Sequence, residues 1–425
     1  MLRFLLSRRA CGTPPDGGRD TGVARLGLVL GAAAAVLAGG TAVGVVLGGP
    51  SHSRTAVPSG PTPTPTAAPP VPRLALVGQS STSTDRTTVP WQRPLTLAVT
   101  DGTIRSVTAR GPRGPVAGTL TPTAWTGPTT LLPSSTYVLH AVLADRNGST
   151  TALDRTLTTS AAATVLHAQL SPTSPDVGVG QPVVLRLDHP VRGLAARTAL
   201  LGRLHVTTTP AVEGAWHFFN STEVHYRPRA YWEPGTKVTV VADLSDFQVP
   251  GTETWGSDTA HSASFTVGDS LISTVDITAH TMSVRRNGQL LRVLPVSTGR
   301  AQYPTKGGVH IILTVEKEHL YNSATVGIPT AGPDGYYEKL PFSMRISNGG
   351  AFVHANPATV KFQGRLNVSH GCVNLSLADA QWFYAISHRG DVVNVVHAVV
   401  APVLSDAGMA DWNYSWTQWK AGNLG

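Results

Sequence analysis

The sequence predicts a mainly β chain made of several small units in series, and three observations carry that expectation. The first is composition: 425 residues with 43 Gly, 32 Pro, 41% hydrophobic and only 14% charged residues favour turn-rich β domains over helical bundles. Such a length accommodates two to four domains with ample core. The second is a recurring pattern of short alternating apolar runs broken by the hairpin dipeptides Asp101-Gly102, Asn147-Gly148 and Asn287-Gly288. The third is that one stretch, 376–388, reads as a helix. Ser376 is placed to cap it, and Leu377, Ala380, Trp382, Phe383, Ala385 and Ile386 supply an apolar face.

In chain order, residues 1–25 carry Arg8, Arg9, Arg19 and Arg25, and 26–49 form an uncharged apolar run. That run is long enough to cross a bilayer once. The flanking arginines would keep the N-terminus cytoplasmic and place everything after it outside the membrane. A cleaved signal peptide is the alternative; the run is longer than a usual apolar core of one, and no clean small-x-small site follows it. Residues 50–73 are rich in Pro, Ser and Thr and read as an extended spacer.

Residues 74–163 and 164–268 each read as an Ig-like β-sandwich without a disulfide, through runs such as 136–143 and 237–242. Neither holds a clustered set of carboxylates or histidines, so both are expected to be scaffold. Residues 269–398 form a third, mixed-β unit, opened by strands at 273–277, 281–286, 290–297 and 307–315 and closed by 391–396. The tail, 399–425, groups Trp412, Tyr414, Trp416 and Trp419. It is too short for a core of its own and is expected to pack back on the third unit.

The formal net charge of +8 and a pI near 9.7 suit an anionic neighbourhood such as a membrane surface or acidic polymer. Nucleic acid is not expected as a partner, because the basic residues are scattered with no aromatic-interleaved stripe.

The chemistry concentrates in 352–375, FVHANPATVKFQGRLNVSHGCVNL. Phe352-Val353-His354 reads as a strand end, 356–364 as a loop, and 368–373 as the chain's return to the same sheet edge. That loop brings His354 beside Cys372, the pairing that thiol nucleophiles need. A free thiol is mostly protonated at neutral pH, so an imidazole must take its proton or hold it as an ion pair. Gly371 leaves room for substrate, and backbone N–H groups around Gly371 and Cys372 are candidates for an oxyanion hole. Two plainer readings stand beside this one. A lone cysteine near a histidine is often a small buried hydrophobe, and His370, Cys372 and His354 could ligate zinc. Zinc takes four compactly spaced N/S ligands, and neither His388 nor His397 makes a convincing fourth. With Cys11 on the far side of the apolar run, Cys372 has no partner in its own chain.

The string Ser369-His370-Gly371-Cys372-Val373-Asn374, with a histidine at the right distance upstream, resembles the signature of the L,D-transpeptidase catalytic domain (the YkuD family). From about residue 164 onward the order of units is also similar to L,D-transpeptidases of high-GC Gram-positive bacteria. The resemblance implies a cysteine acyltransferase. It would attack a peptidoglycan tetrapeptide stem at the diaminopimelate–D-Ala bond, release D-Ala and form a 3→3 cross-link with the amine of a second stem. Cys372 would be the nucleophile and His354 the general base. His370 and Gly371 would shape the pocket and oxyanion hole, Asn374 would contact substrate and Ser369 would complete the motif. A lid over the site would span about 316–347 and contribute Tyr336, with the Gly349-Gly350 backbone beside the donor.

Two departures from the family pattern, Val326 in the lid and Ala355-Asn356-Pro357-Ala358 after the histidine, bear on lid contacts and not on the chemistry. Some relatives bind calcium in the adjoining Ig-like unit; 246–258 here lacks a tight carboxylate cluster, so no calcium is expected. Neither a metal nor another cofactor is implied. The expected partners are donor and acceptor stems, carbapenem-type β-lactams as covalent inhibitors, and the membrane, with the catalytic unit on its outer side. An L,D-carboxypeptidase using water as acceptor and a catalytically dead wall scaffold remain alternatives.

Overall fold

The structure, a computed structural model, describes residues 70–77, 86–257, 259–406 and 411–424. The expected membrane segment at 26–49, Cys11 and most of the spacer lie outside those residues. Among the described residues no helix is long and apolar enough to cross a membrane.

The first sandwich sets a four-stranded sheet (Arg73–Leu76, Thr96–Thr100, Ala124–Thr126, Thr119–Leu120) against a five-stranded one. In the five-stranded sheet, Thr136–Ala144 is buried at nearly every second position, the period-2 pattern of a strand with one face on a core. Leu97, Trp125, Leu139, Leu143 and Leu157 fill the space between the sheets. Each fully buried Leu contributes roughly 1.5–3 kcal/mol relative to exposure.

The second sandwich pairs Ala168–Ser171, Val183–Leu187, Glu223–Pro228 and Gly214–Phe218 against Asp176–Val177, His261–Val267, Lys237–Ala242 and Leu204–Thr209. It also holds a helix, Leu194–Leu201, that the sequence reading did not anticipate. The segment LAARTALL begins after Gly193 with no side-chain cap, so the usual N-terminal signal is missing, while its Ala and Leu residues are strong helix formers. Trp255 crosses from this sandwich into the core of the first, meeting Trp91 edge-on at 5.3 Å.

The third unit layers a five-stranded sheet on a four-stranded one. The first runs Gln289–Pro295, Thr281–Arg286, Leu271–Asp276, Val392–Val396, Gly308–Ile311, with Leu271–Asp276 and Val392–Val396 parallel. The second runs Thr314–Asn322, Tyr337–Arg345, Phe352–Ala355, Val373–Leu375. Val275, Met282, Val284, Met344, Val353, Val373 and Phe383 seal the layers together. Asn287 and Gly288 both take positive φ, 49° and 82°, which is what a tight hairpin turn of the mirror-image type demands. The helix forms over Leu377–Ile386, with the Ser376 side chain accepting from the Asp379 N–H.

The tail corrects one expectation. Its aromatic residues pack chiefly on the second sandwich. Trp419 is fully buried and donates its indole N–H to Ala215 O at 2.8 Å, and Trp412 donates to Gly180 O at 2.7 Å. The guanidinium of Arg227 sits 4.7, 5.5 and 4.5 Å from the ring centres of Trp412, Trp416 and Trp419. The reason is chemical: an exposed aromatic cluster gains most from a buried cation, and Arg227 supplies it on the sandwich. Other parts of the tail tie it to the third unit: Val400 O accepts from Gly307 N at 2.8 Å, Asn413 bonds Val309 N and O, and Asp406 accepts from Asn348 N and Gly349 N.

Candidate active site

Two adjacent parallel strands build the site. Phe352–Ala355 and Val373–Leu375 pair with Val353 opposite Val373 and His354 opposite Asn374. Since side chains alternate along a strand, His354 and Asn374 share one face, and Cys372, two residues before Asn374, joins them. The segment expected as a plain loop contains the 3₁₀ turn Pro357–Phe362, started by the Asn356 side chain accepting from Ala358 N. His354, Cys372 and Asn374 line one cavity of about 210 Å³, together with Tyr321, Tyr336, Ser369 and His370.

His354 is enclosed and only 3% exposed. Its Nδ1 lies 2.9 Å from the Ala355 carbonyl oxygen. A carbonyl only accepts, so Nδ1 carries the proton and Nε2 keeps its lone pair. Burial pushes His354 down to about 4, and the bond to Ala355 only partly opposes this. The Cys372 thiol points at Gly350 O, 3.9 Å away. Burial raises it to about 11, with a backbone hydrogen bond from Phe352 as a partial offset. The resting pair is therefore neutral thiol and neutral imidazole.

The loop that carries Cys372 is laced from below. Ser369 Oγ accepts from Gly371 N at 3.0 Å and donates to Cys372 O at 2.6 Å. Gly371 holds φ +119°, a conformation that a side chain would strain. Its carbonyl accepts from Thr305 Oγ1 at 2.9 Å. The Gly371 N–H is thus already engaged by Ser369, which corrects the expectation that it is open for an oxyanion. Asn374 donates to Thr359 Oγ1 at 3.3 Å, and its buried Oδ1 has no partner.

The segment 316–347 is a β-hairpin, Thr314–Asn322 against Tyr337–Arg345, whose tip reaches the cavity. Tyr336 packs on His370 with ring centres 5.1 Å apart. Burial, then the Cys372 thiol, raise its phenol. Val326 meets Gly350 so closely that a Cβ there would come within 2.8 Å of it. Gly349 donates its N–H to Asp406, which holds the Gly349-Gly350 turn against the thiol.

Several site residues escaped the sequence reading. Tyr321 stacks on His354 at 4.7 Å and donates to Ser343 Oγ; Arg300 and Tyr303 approach His370 from a separate loop. Tyr321 follows the alternation of its strand, so its direction was readable once that strand was placed. Nothing local marks Arg300, which is distant in sequence.

Among the described residues, no group of three or more His, Cys, Asp or Glu is placed to hold a metal. Asp246, in the stretch considered for calcium, is engaged by Arg113 and Arg203 at 2.5 and 3.1 Å.

Fold and site together define a two-sandwich protein with a β-sheet thiol–imidazole centre under a hairpin lid. Residues 271–395 match the L,D-transpeptidase catalytic domain family, YkuD, and residues 86–248 match a bacterial Ig domain family. L,D-transpeptidase 2 of Mycobacterium tuberculosis (strain CDC 1551 / Oshkosh) is 36% identical over 334 residues, covering 78% of this chain and 80% of that protein. L,D-transpeptidase 1 of Mycobacterium tuberculosis (strain ATCC 25618 / H37Rv) is 34% identical over 221 residues, 52% of this chain and 80% of that one. A solved structure described as LD transpeptidase LdtMt1 in complex with imipenem aligns with 34% identity over 54% of this chain and 97% of that chain, at a TM-score of 0.46. The chain belongs to the L,D-transpeptidase family, and that membership supports an enzyme acting on peptidoglycan.

Proposed function

We propose that the chain is a peptidoglycan L,D-transpeptidase that forms 3→3 cross-links through a thioester on Cys372. The observation that carries this reading is the neutral Cys372–His354 pair on one cavity wall, with the imidazole tautomer fixed so that a lone pair remains free. Burial holds the imidazole down to about 4 and the thiol up to about 11, so the neutral pair is the resting form. Proton transfer therefore accompanies attack.

In the first half-reaction, Cys372 Sγ bonds to the diaminopimelate carbonyl carbon while His354 Nε2 takes the thiol proton. The tetrahedral intermediate collapses, the C–N bond to D-Ala breaks, and His354 returns the proton to the departing amine. In the second, the side-chain amine of another stem attacks the thioester. His354 takes a proton from that amine, and the released sulfur is reprotonated. With the Gly371 N–H engaged, the Cys372 N–H is the oxyanion donor that this reading assigns to the motif. The lid excludes water and so favours the amine over hydrolysis.

The same nucleophile accounts for the expected acylation by carbapenem-type β-lactams. We further propose that 26–49 anchors the chain in the cell membrane with the catalytic unit on the wall side; retention in the membrane pellet after a high-salt wash tests this, and a wholly soluble product refutes it.

The test of the chemistry is intact-protein mass of the full-length chain after mixing with a stem tetrapeptide and, separately, with imipenem. A covalent adduct on the native chain and none on Cys372→Ala is expected. A folded native chain that gives no adduct with either refutes the assignment and favours the dead-scaffold alternative. Product masses from a donor–acceptor mixture then separate cross-linking from carboxypeptidase hydrolysis.

A further inference from the structure

The loop that follows residue 297 meets the lid through one carboxylate. Arg300 donates to Asp334 Oδ1, Tyr303 O–H donates to Asp334 Oδ2 at 3.1 Å, and Gln302 Nε2 reaches the same oxygen at 3.4 Å. Asp334 belongs to the hairpin tip, two residues before Tyr336, inside a turn over 332–335 that Gly335 N closes by donating to Gly332 O at 3.2 Å. The same Arg300 nitrogen lies 2.9 Å from His370 Nε2. The guanidinium stacks 4.7 Å over the Tyr303 ring, which in turn packs against His370 at 5.0 Å.

The loop itself is tied to the nucleophile's loop: Arg300 N donates to Ser369 O at 3.0 Å, and Thr305 Oγ1 bridges Gly299 N and Gly371 O. Arg300 thus stands between the hairpin tip and the residue two positions before Cys372.

A guanidinium has donors and no acceptor. Its contact with His370 Nε2 therefore requires a lone pair there, which puts the His370 proton on Nδ1. We propose that Arg300 is a positioning residue that fixes His370 as a neutral Nδ1–H donor, and that Asp334 latches the lid to that same guanidinium. Closing the lid and orienting His370 are then one event. Tyr336 is delivered onto the His370 ring by the latch that locks its tautomer. His370 is a donor toward bound substrate and not a second base, which leaves His354 to move the proton. This assignment of roles rests on the reading of Cys372 as nucleophile; the latch itself does not.

The charged and titratable groups that face His370 are Arg300 and Tyr303 from its supporting loop, Asp334, Tyr336 and Glu338 from the hairpin, and Cys372 and His354 across the cavity. Burial and then the Arg300 charge hold His370 below its ordinary value, with Asp334 opposing. Loss of the guanidinium should move it back up toward its ordinary value, with burial still opposing.

Two readouts need no turnover. In Asp334→Ala and the isosteric Asp334→Asn, amide exchange across 327–337 is expected to rise at least about tenfold, as a segment loses its closing contact. In Arg300→Gln, the ring ¹⁵N shifts of His370, assigned by comparison with His370→Gln, are expected to move away from the Nδ1–H pattern.

Two more readouts use activity. Acylation in the Asp334 variants should weaken about tenfold, mainly through KM. In Arg300→Gln, the acid limb of kcat, which His354 sets near about 4 in the native chain, should move to higher pH as His370 protonates more readily, and Arg300→Lys should recover the Asp334 contact and the KM but not the native pH profile. Unchanged exchange in both Asp334 variants overturns the latch, and an unchanged His370 tautomer in Arg300→Gln overturns the positioning role. If the native chain is never acylated, the proposed function fails while exchange and ring shifts still decide the latch.

Discussion

His354 and His225 are both enclosed histidines on β-strands, 3% and 2% exposed, yet one is neutral and the other cationic at neutral pH. His354 has a backbone carbonyl on Nδ1, and no carboxylate is among the groups that shift it. Burial wins, and it stays neutral down to about 4. His225, in the second sandwich, has Asp411 of the tail 2.6 Å from Nδ1 and Glu223 3.0 Å from Nε2. Burial would lower it too, but the two carboxylates more than reverse that and raise it to about 9. Depth alone does not set a histidine's charge; the second partner does. The third unit withholds the carboxylate and obtains a base with an open lone pair, while the second sandwich and the tail supply one each and obtain a clamp.

The largest expected effect separates these roles. His354→Gln should slow acylation of Cys372 by about 10²–10⁴-fold, the usual span for a lost general base, with little change in melting temperature. His225→Gln should leave acylation within about twofold and cost roughly 3–5 kcal/mol, because it strands buried carboxylates. Imipenem adduct kinetics and denaturant unfolding of both variants check this; a reversed pattern would break the comparison.

Trp419→Ala attacks the clamp from its aromatic side. It empties a fully buried site that stacks on His217 at 4.7 Å and caps Arg227. A loss of roughly 3–5 kcal/mol is expected from the cavity alone, again with acylation intact, as read by thermal unfolding beside adduct formation.

This clamp shows where sequence reading stops. The pairing of His354 with Cys372 was legible because both lie in one short stretch, between two strand-like runs, and parallel pairing of those runs leaves few other arrangements. The hairpin dipeptides and the Ser376 cap were legible for the same local reason. Arg300 at the lid and Arg227 under Trp412, Trp416 and Trp419 were not, since each meets partners far along the chain and nothing nearby in sequence announces a partner. The tail's aromatic cluster sits on the second sandwich while other tail residues bond the third unit, because aromatic content says that a segment will pack and only the buried cation says where. The helix Leu194–Leu201 was missed for lack of a capping residue.

The two histidines should also bend stability in opposite directions with pH. His225 is raised from 6.5 to about 9, so its stabilisation is fully present below about 6.5 and is lost as pH rises through about 9. His354 is lowered from 6.5 to about 4. The unfolded chain takes up a proton there that the native chain refuses, so stability falls as pH drops from about 6.5 toward about 4. Each term amounts to about 3 kcal/mol at its limit. Urea midpoints across pH 4–10 should show His225→Gln flattening only the alkaline side and His354→Gln only the acid side. A single variant that flattens both would mean the sites are coupled.

The smallest effect concerns how each site is tethered. Ser369 Oγ makes only neutral contacts, to Gly371 N and Cys372 O, whereas Asp411 holds a charge. Ser369→Ala removes two hydrogen bonds of about 1 kcal/mol each and loosens the loop that aims the thiol. Acylation should fall by about tenfold with no change in the shape of the pH–stability curve, because no ionisation is involved. Asp411→Asn should do the reverse, leaving acylation alone while moving the alkaline limb toward neutral pH as His225 loses its strongest counter-charge. If Ser369→Ala instead shifted that limb, the neutral tether would be linked to an ionising group, and the division between a charged clamp and an uncharged catalytic centre would not hold.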